Sequence, residues 1–588
     1  MKRYAGVLGI MVLGLVLGSC AFRTKSNISL NVSNSRFDLT ALNPQALDGR
    51  ITEDSPYVYF AFSKEASAAL NTFSSDGNGM SLSVSYSLSQ DASASDTAFG
   101  FLYESDFASS RSLKKAKLPS RPMVNGTVSA LSLGSSYFSL SMAFPSDPSS
   151  PVKGFFVYSS RPVQITSVSL EKPFLGWSFT EDVIQFGFPS SGGIIPSSLE
   201  KAQSQGLDFS QGKTLALNPE ETFIRASFRN NTQDTGTLDK RNSVCLDFGQ
   251  ESYSILRSPA QKTATVYTSQ LLSQSQKVVL TRNKEMVTGL IYTSSDSGKS
   301  GAALYQLKPL ASDPGLIVLW DQSAWRTEDF ELFSWELFPS VLILDFKNYA
   351  VQDEFLRRLA FFTEKKGYTG RLVTDEELEG QHGFNAHDYR PESLASFYAL
   401  ADAQNFPLND KELLLRHILL EQGILALKGS KIVSGKGALL SISQETSLNL
   451  RYTLLGHECL HGIYFTNEPF RTHTSAVFAG ADPGSLAFLL GYFSITPTLN
   501  YDIDDSYLIE NEFMAYLLQQ SLEQTSQYFI NISNRGSVLK ALPELGSYIL
   551  ETKAQGFVDS AAELELFIFN SYGLSAGRIP LVNRKRSL

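Results

Sequence analysis

The stretch Arg451-Tyr-Thr-Leu-Leu-Gly-His457-Glu458-Cys459-Leu460-His461-Gly462 contains the pattern His-Glu-x-x-His in a segment of helical character. His457 and His461 are four residues apart, so on an α-helix they project from one face, one turn apart. Two imidazoles placed in this way can each give a ring nitrogen to one zinc ion. Glu458 would reach a metal-bound water, from which a carboxylate can accept a proton. The stretch therefore predicts metal-assisted hydrolysis, with two histidine ligands and a glutamate as general base.

A catalytic zinc site needs a third protein ligand and an open position for water. Asn467 stands six residues after His461, where a third histidine would indicate a metzincin, so that arrangement is excluded. Further along, Leu508-Ile-Glu510-Asn511-Glu512-Phe513-Met514-Ala515-Tyr516 predicts a second helix with two candidate carboxylates. Glu510 and Glu512 lie about 200° apart around such a helix, so only one of them can face the metal.

The Asn-Glu-x-x-Ala-Tyr run of residues 511–516 resembles the glutamate helix of gluzincin metallopeptidases. The resemblance implies that Glu512, 51 positions after His461, is the third ligand and that one Zn²⁺ binds per chain. It also implies that the predicted strand Gly435–Ser443, directly before the metal helix, is an edge strand that pairs with an extended peptide substrate. The resemblance covers about residues 430–525.

This chain departs from the gluzincin pattern at one position. Many gluzincins have an Asp four residues after the ligand Glu, where it orients a zinc histidine, but this chain has Tyr516 there. We expect that role to fall to Asn511, Asp504, Asp505 or a backbone carbonyl. The resemblance also implies a Tyr or His that stabilises the developing oxyanion or contacts the substrate, for which there are four candidates: Tyr507, Tyr501, His473 and His387.

A second polar cluster, Gln-His-Gly-Phe-Asn-Ala-His-Asp-Tyr-Arg at residues 381–390, holds two of the six histidines of the chain. We predict a loop here, before a helix that begins near Pro391. The loop could face the zinc, either clamping the substrate or supporting the metal ligands. Alternatively, Asp388 and Arg390 tie the loop to its domain, because structural networks use the same residue types.

The first twenty residues predict a targeting signal. Lys2 and Arg3 precede an apolar run, and Leu17-Gly-Ser-Cys20 resembles the lipobox of bacterial lipoproteins. The resemblance implies a signal peptide over residues 1–19 and acyl chains on Cys20 that anchor the protein to a membrane of the bacterial cell envelope, on its extracytoplasmic side. That membrane would be the outer membrane or the outer face of the inner one. The run is too short to favour a spanning helix.

Length and composition indicate a multidomain globular protein of 588 residues, with 43% hydrophobic and 19% charged residues. The net charge is −9 and no basic stripe is present, which argues against a nucleic-acid partner. Alternating runs such as Tyr57–Phe62 predict a β-sandwich-like domain over residues 20–175. We predict a second β-rich domain over 176–335, with one strand at Leu316–Trp320, and an α+β, helix-rich, zincin-like domain over 336–588.

The remaining cysteines, Cys245 and Cys459, are expected to be buried free thiols, because Cys459 lies inside the metal helix. Taken together, the motifs predict a membrane-anchored zinc metallopeptidase that acts on a peptide or protein, or on another amide such as a peptidoglycan stem. The alternative is a surface binding or adhesion lipoprotein with a structural or inactive zinc site. A structural site would be closed by a fourth ligand, for which His473 and Glu510 are the candidates. The sequence does not indicate an oligomeric state.

Overall fold

The computed structural model describes short segments of the N-terminal half and almost all of the C-terminal half. The described residues are 47–51, 57–62, 81–88, 97–107, 128–134, 137–143, 151–159, 163–171, 175–179, 183–187, 195–197, 206–210, 221–229, 243–272, 275–294, 307–499 and 501–586. The predicted signal peptide and Cys20 lie outside them.

Clustering of the chain gives two compact units. The first comprises Met1–Ile224, Gln276–Val279 and Thr288–Ser294. The second comprises Arg225–Ser275, Leu280–Val287 and Ser295–Leu588. The finer division at residues 175 and 335 stays a prediction.

The N-terminal half is built from β-strands, as predicted. Its strands are β1 Leu47–Ile51, β2 Tyr57–Phe62, β3 Ser81–Leu88, β4 Thr97–Tyr103, β5 Val128–Gly134, β6 Tyr137–Ala143, β7 Val152–Ser159, β8 Val163–Glu171, β9 Leu175–Phe179, β10 Val183–Gly187, β11 Ile195–Ser197, β12 Leu207–Asp208, β13 Thr222–Phe228, β14 Ser243–Asp247, β15 Glu251–Leu256, β16 Thr263–Tyr267, β17 Lys277–Arg282 and β18 Val287–Ser294. Antiparallel pairing gives one sheet in the order β1-β2-β7-β4 and another in the order β5-β6-β3-β8. In the first sheet, Phe60 stacks on Phe155 with 4.8 Å between ring centroids.

The C-terminal part combines one mixed sheet with many helices, which confirms the prediction of β structure followed by an α+β region. Its strands are β19 Leu310–Ser312, β20 Phe330–Trp335, β21 Val341–Phe346, β22 His387–Tyr389, β23 Leu425–Lys428, β24 Lys431–Ser434, β25 Ala438–Ser443 and β26 Val582–Arg586. Its helices are α1 Pro314–Ile317, α2 Tyr349–Thr363, α3 Pro391–Gln404, α4 Asp410–Glu421, α5 Leu448–Thr466, α6 Glu468–Gly480, α7 Pro483–Ile495, α8 Ser506–Leu518, α9 Leu522–Ser533, α10 Gly536–Ala541, α11 Pro543–Glu551 and α12 Gln555–Tyr572.

The mixed sheet has the order β19-β20-β21-β25-β22, and its edge strand next to the metal helix is β22. Strand β25 pairs in parallel with β21 and antiparallel with β22, so both of its sides are hydrogen-bonded. The prediction that Gly435–Ser443 is an edge strand is therefore wrong. The outer side of β25 pairs with β22, whose three residues precede it by about fifty positions. Strand periodicity does not predict such a non-local pairing.

Alternation along the central strands assigns each residue to one face of this sheet. Leu342 and Leu344 of β21, Leu439 of β25 and Tyr389 of β22 belong to one apolar core, together with residues of α2, α3 and α4. The intervening residues point to the opposite face, where α5 packs against β25. The sheet thus separates a closed core from the side that carries the metal helix.

Two contacts fix α5 on the sheet. The Arg451 guanidinium donates to both carboxylate oxygens of Asp345 on β21 at 2.9 Å, and both side chains are buried. Near the other end of the helix, a Cβ atom on Gly462 would lie 3.0 Å from Val341 Cγ1, so the helix packs closely on the strand there and a side chain would require a shift of a few tenths of an ångström. The helix is therefore held at both ends over one face of the sheet.

The segment Leu316–Trp320, predicted as a strand, is a second correction. Short helix α1 occupies Pro314–Ile317, because the Asp313 carboxylate accepts the backbone N–H of Gly315 and Pro314 stands in the first turn. After the last helix, α12, strand β26 pairs antiparallel with β15.

Both cysteines within the described residues are free thiols, which confirms that part of the prediction. Cys459 is buried, whereas Cys245 is only half-buried. Among the described helices, no single one is long and apolar enough to cross a membrane. Helices α6 and α7, which are bent sharply against each other, have the necessary length and apolar composition only when they are taken as a pair.

Candidate metal centre

Helices α5 and α8 bring the three predicted metal ligands together. His457 Nε2 and His461 Nε2 lie 3.0 Å apart. Each of these nitrogens lies 3.7 Å from a different carboxylate oxygen of Glu512. Two imidazole nitrogens and two carboxylate oxygens therefore converge on one point between the helices, at the spacing of a metal-binding cluster.

The competing carboxylate, Glu510, points elsewhere. Its side chain accepts a hydrogen bond from the Ser475 hydroxyl of α6. This placement follows from the helix, because residues two positions apart face in different directions.

The residues at this point fit a zinc ion in two respects: the chemistry of their side chains and the buried oxygens that lack hydrogen-bond partners. His461 is fully buried, and Glu458 and Glu512 are 5% and 3% exposed. Within the described part of the chain, Glu512 Oε2 and Glu458 Oε2 are buried oxygens without a hydrogen-bond partner. Buried carboxylate oxygens are normally paired with a hydrogen-bond donor or a cation. Two histidines and one glutamate are a common ligand set of catalytic zinc.

Glu458 and Asp388 form a second carboxylate pair beside the ligands, with their oxygens and a ring nitrogen of His461 all within 4.8 Å of one another. Burial raises the pKa of Glu458 well above its ordinary value, and the neighbouring Asp388 and Glu512 raise it further. Burial likewise raises the pKa of Asp388 to about 6, against the lowering effect of His457. A cation among these groups would favour their charged forms.

A carboxamide orients the first histidine. His457 Nδ1 lies 3.0 Å from Gln519 Oε1, and Gln519 Nε2 in turn donates to the Tyr528 hydroxyl at 2.7 Å. Gln519 was not among the residues predicted for this role. Helical spacing could have identified it, because it lies seven residues after Glu512 and therefore on the same face, two turns further on.

The Nδ1 atom of the second histidine, His461, is buried and has no hydrogen-bond partner among the described residues. His461 Nδ1 lies 3.8 Å from Asp388 Oδ2, and Asp388 reaches it from edge strand β22. Of the residues predicted to orient a ligand, Asp505 instead accepts the backbone N–H groups of Tyr507 and Leu508 at the start of α8. Asp504 is exposed. Asn511, another of the predicted residues, is buried beside the ligands, where its side chain opposes both the lowering of the pKa of His461 by burial and the raising of the pKa of Asp388 by burial.

A cavity of about 670 Å³ opens beside these residues. Its lining combines the metal-centre residues with three loops: Phe361, Glu364, Lys365, Tyr368, Gln381, His382, Gly383, Phe384, Asn385, Ala386, Asp388, Leu454, His457, Glu458, Pro497, Thr498, Leu499, Tyr501, Glu512, Tyr516 and Gln519. Tyr501 is the one member of the four predicted Tyr and His candidates in this lining. Tyr516, the departure from the gluzincin pattern, also lines it and packs edge-on against His457 at 5.6 Å.

The other three candidates are not among the residues that line the cavity. Tyr507 packs under the Arg390 guanidinium, which lies 4.2 Å from its ring centroid. His473 stacks on Phe567 at 4.9 Å on the surface of α6. His387 points to the core face of β22, opposite to Asp388, as strand alternation requires.

The residue 381–390 segment makes contacts both at the cavity and in the sheet, but Asp388, which was predicted as a possible tie to the domain, lines the cavity. Residues 381–386 and Asp388 line the cavity, and His382 Nδ1 lies 2.9 Å from Asp353 Oδ2. His387 Nδ1, by contrast, lies 2.9 Å from Ser441 Oγ in the sheet, and Arg390 packs on Tyr507. One part of the segment therefore faces the metal centre, and the other part fixes it to the domain.

Comparison with known proteins identifies no relative: the chain matches no family model, no curated protein and no solved structure.

Proposed function

We propose that this protein is a zinc-dependent hydrolase of peptide or other amide bonds, with a zincin-like catalytic domain. The observation that carries the proposal is the convergence of His457, His461 and Glu512 at a cavity, next to the buried carboxylate of Glu458, whose Oε2 has no hydrogen-bond partner. One zinc ion held by these three ligands would polarise the scissile carbonyl and acidify a water molecule.

The other roles belong to side chains around the cavity. Glu458 accepts the proton of the attacking water and delivers it to the leaving amine. The hydroxyls of Tyr501 and Tyr516 are the donors for the developing oxyanion, since both line the cavity. Burial, reinforced by Glu512, raises the pKa of both tyrosines well above the ordinary value, so each keeps its proton at neutral pH.

The N-terminal region would set the cellular location of the protein. Cys20 carries the lipid that anchors the protein on the extracytoplasmic side of a bacterial membrane. The two four-stranded antiparallel sheets act as a sandwich-like spacer or interaction module between that anchor and the catalytic domain.

The rival function is a binding or adhesion lipoprotein with a closed, structural zinc site. Such a site would need a fourth ligand at His473 or Glu510. His473 stacks on Phe567 and Glu510 accepts from Ser475, so neither contributes to the cluster of potential ligands. The geometry therefore favours an open site with three protein ligands.

The test is zinc stoichiometry, measured by elemental analysis of the purified full chain. We expect about one zinc per chain in the wild type and in Glu510→Ala, and a marked loss in Glu512→Ala, because only Glu512 faces the two histidines. Circular dichroism of the three proteins establishes that they are equally folded. A wild-type protein that binds no zinc, even after incubation with excess metal, would refute the hydrolase.

A further inference from the structure

Lys365 is a buried cation in the wall of the cavity. It follows the end of α2, is 7% exposed and lines the cavity. Its ammonium lies 3.4 Å from the centroid of the Phe384 ring and 3.5 Å from the carbonyl oxygen of Thr498. Both of these neighbours also belong to the cavity lining.

Lys365 lacks a counter-ion within the part of the chain that the structure describes. No Asp or Glu oxygen there lies within 4.0 Å of its ammonium. Lys411, by comparison, forms an ion pair with Asp329. Burial of an unpaired ammonium is costly, and the cation–π contact with Phe384 offsets only part of that cost.

The charge of Lys365 is retained at neutral pH. Burial lowers its pKa to about 8, against the raising effect of the neighbouring Glu364. A cation that is buried, charged and directed into a cavity has the properties of a binding site for an anionic group.

We propose that Lys365 binds a carboxylate of the substrate, so that the cavity selects peptides with a carboxylate near the cleaved bond. This inference rests on the proposed hydrolase function and specifies its substrate class. The carboxylate is either the C-terminus of the peptide or an Asp or Glu side chain. Among the described residues that line the cavity, Lys365 supplies a Lys or Arg charge, whereas Glu364, Asp388 and Glu458 supply carboxyl groups. A substrate carboxylate in the cavity would therefore find its side-chain counter-ion in Lys365.

The experiment uses the zinc-loaded full chain carrying Glu458→Gln, which is designed to bind peptides without cleaving them. Four pools of N-acetylated pentapeptides with randomised apolar residues are titrated by calorimetry. One pool has a free C-terminus, one has an amidated C-terminus, and the last two are amidated with one central Glu or one central Gln. We expect one carboxylate pool to bind about 10- to 100-fold more tightly than its neutral counterpart, and Lys365→Met to abolish the difference.

The carboxylate pool that shows this advantage identifies the source of the anion. Lys366→Met is the matched control, because Lys366 is the exposed neighbour and should leave the preference intact. Lys365→Arg should retain part of the preference, because it keeps the positive charge. Thermal unfolding checks the Met variant, which removes an unpaired buried charge and is therefore not expected to unfold the protein.

Equal affinity for charged and neutral pools, or no binding of any pool, would overturn the anion site. Cleavage of the pools by the wild type separates the two proposals. If no pool is cleaved but the carboxylate preference depends on Lys365, the anion site stands and the hydrolase fails. If charged and neutral pools are cleaved with equal kcat/KM, the hydrolase stands and the anion site fails.

Discussion

The two walls of the cavity differ in both charge and construction. The metal wall, defined by His457, His461, Glu512, Glu458 and Asp388, consists of side chains on two helices and one strand. The loop wall, defined by Lys365, Phe384 and Thr498, consists of side chains outside regular helices and strands. The metal wall gathers buried carboxyl groups with raised pKa values, whereas the loop wall presents a cation that lacks a counter-ion among the described residues. If both proposals hold, the metal wall would carry out the reaction and the loop wall would choose the substrate.

Substitution of the general base gives the largest expected effect on the metal wall. Glu458→Gln keeps the shape of the side chain but cannot accept a proton, so we expect kcat to fall by about 10²- to 10⁴-fold. Zinc content should remain near that of the wild type, because the histidine and Glu512 ligands are intact. Peptide-cleavage assays and elemental analysis of the same preparation measure the two quantities. Wild-type activity in this variant would remove Glu458 from the mechanism.

The two metal histidines provide a finer comparison within the metal wall. His457 is oriented by the neutral amide of Gln519, whereas His461 faces the carboxylate of Asp388. Removal of either partner, by Gln519→Leu or Asp388→Asn, should weaken zinc binding by about 10- to 100-fold, because such partners hold ligand rings in place. Competition with a chromophoric chelator measures both affinities.

The visible spectrum of the cobalt-substituted protein distinguishes a positioning role from a general loss of structure. We expect the absorption bands to shift in each variant while thermal unfolding stays cooperative. Unchanged zinc affinity in Asp388→Asn would show that the 3.8 Å approach to His461 does not support the metal centre.

The sequence predicted the features that depend on local helical spacing. It did not predict those that depend on contacts between residues far apart in the chain. Helical spacing was sufficient to place His457 and His461 on one face and to separate Glu512 from Glu510. Asp388 could not be placed, because its position depends on β22 pairing with β25, which begins some fifty residues later. Lys365 carried no signal, since its burial arises from the fold of separate loops around it.

The strand that carries Asp388 also joins the two walls, and this provides the last prediction. His387 points to the other face, where its Nδ1 contacts Ser441 in the sheet and its Nε2 accepts the backbone N–H of Phe384 in the loop wall at 3.4 Å. Burial lowers the pKa of His387 to about 3, from 6.5. The folded state therefore holds this imidazole neutral, in contact with the sheet and with the loop wall, over a pH range where the unfolded chain protonates it.

The sign of the resulting pH dependence follows from linkage. A folded pKa below the unfolded value stabilises the protein fully above pH 6.5, and that contribution is lost as the pH falls toward 3. Between pH 7 and pH 5 we expect His387 to account for a loss of about 2 kcal/mol in the free energy of unfolding. In His387→Gln that part of the acid dependence should disappear, which urea unfolding at the two pH values measures. His417→Gln on α4 is the control, and an equal acid dependence in wild type and His387→Gln would show that the imidazole is not held neutral in the folded protein.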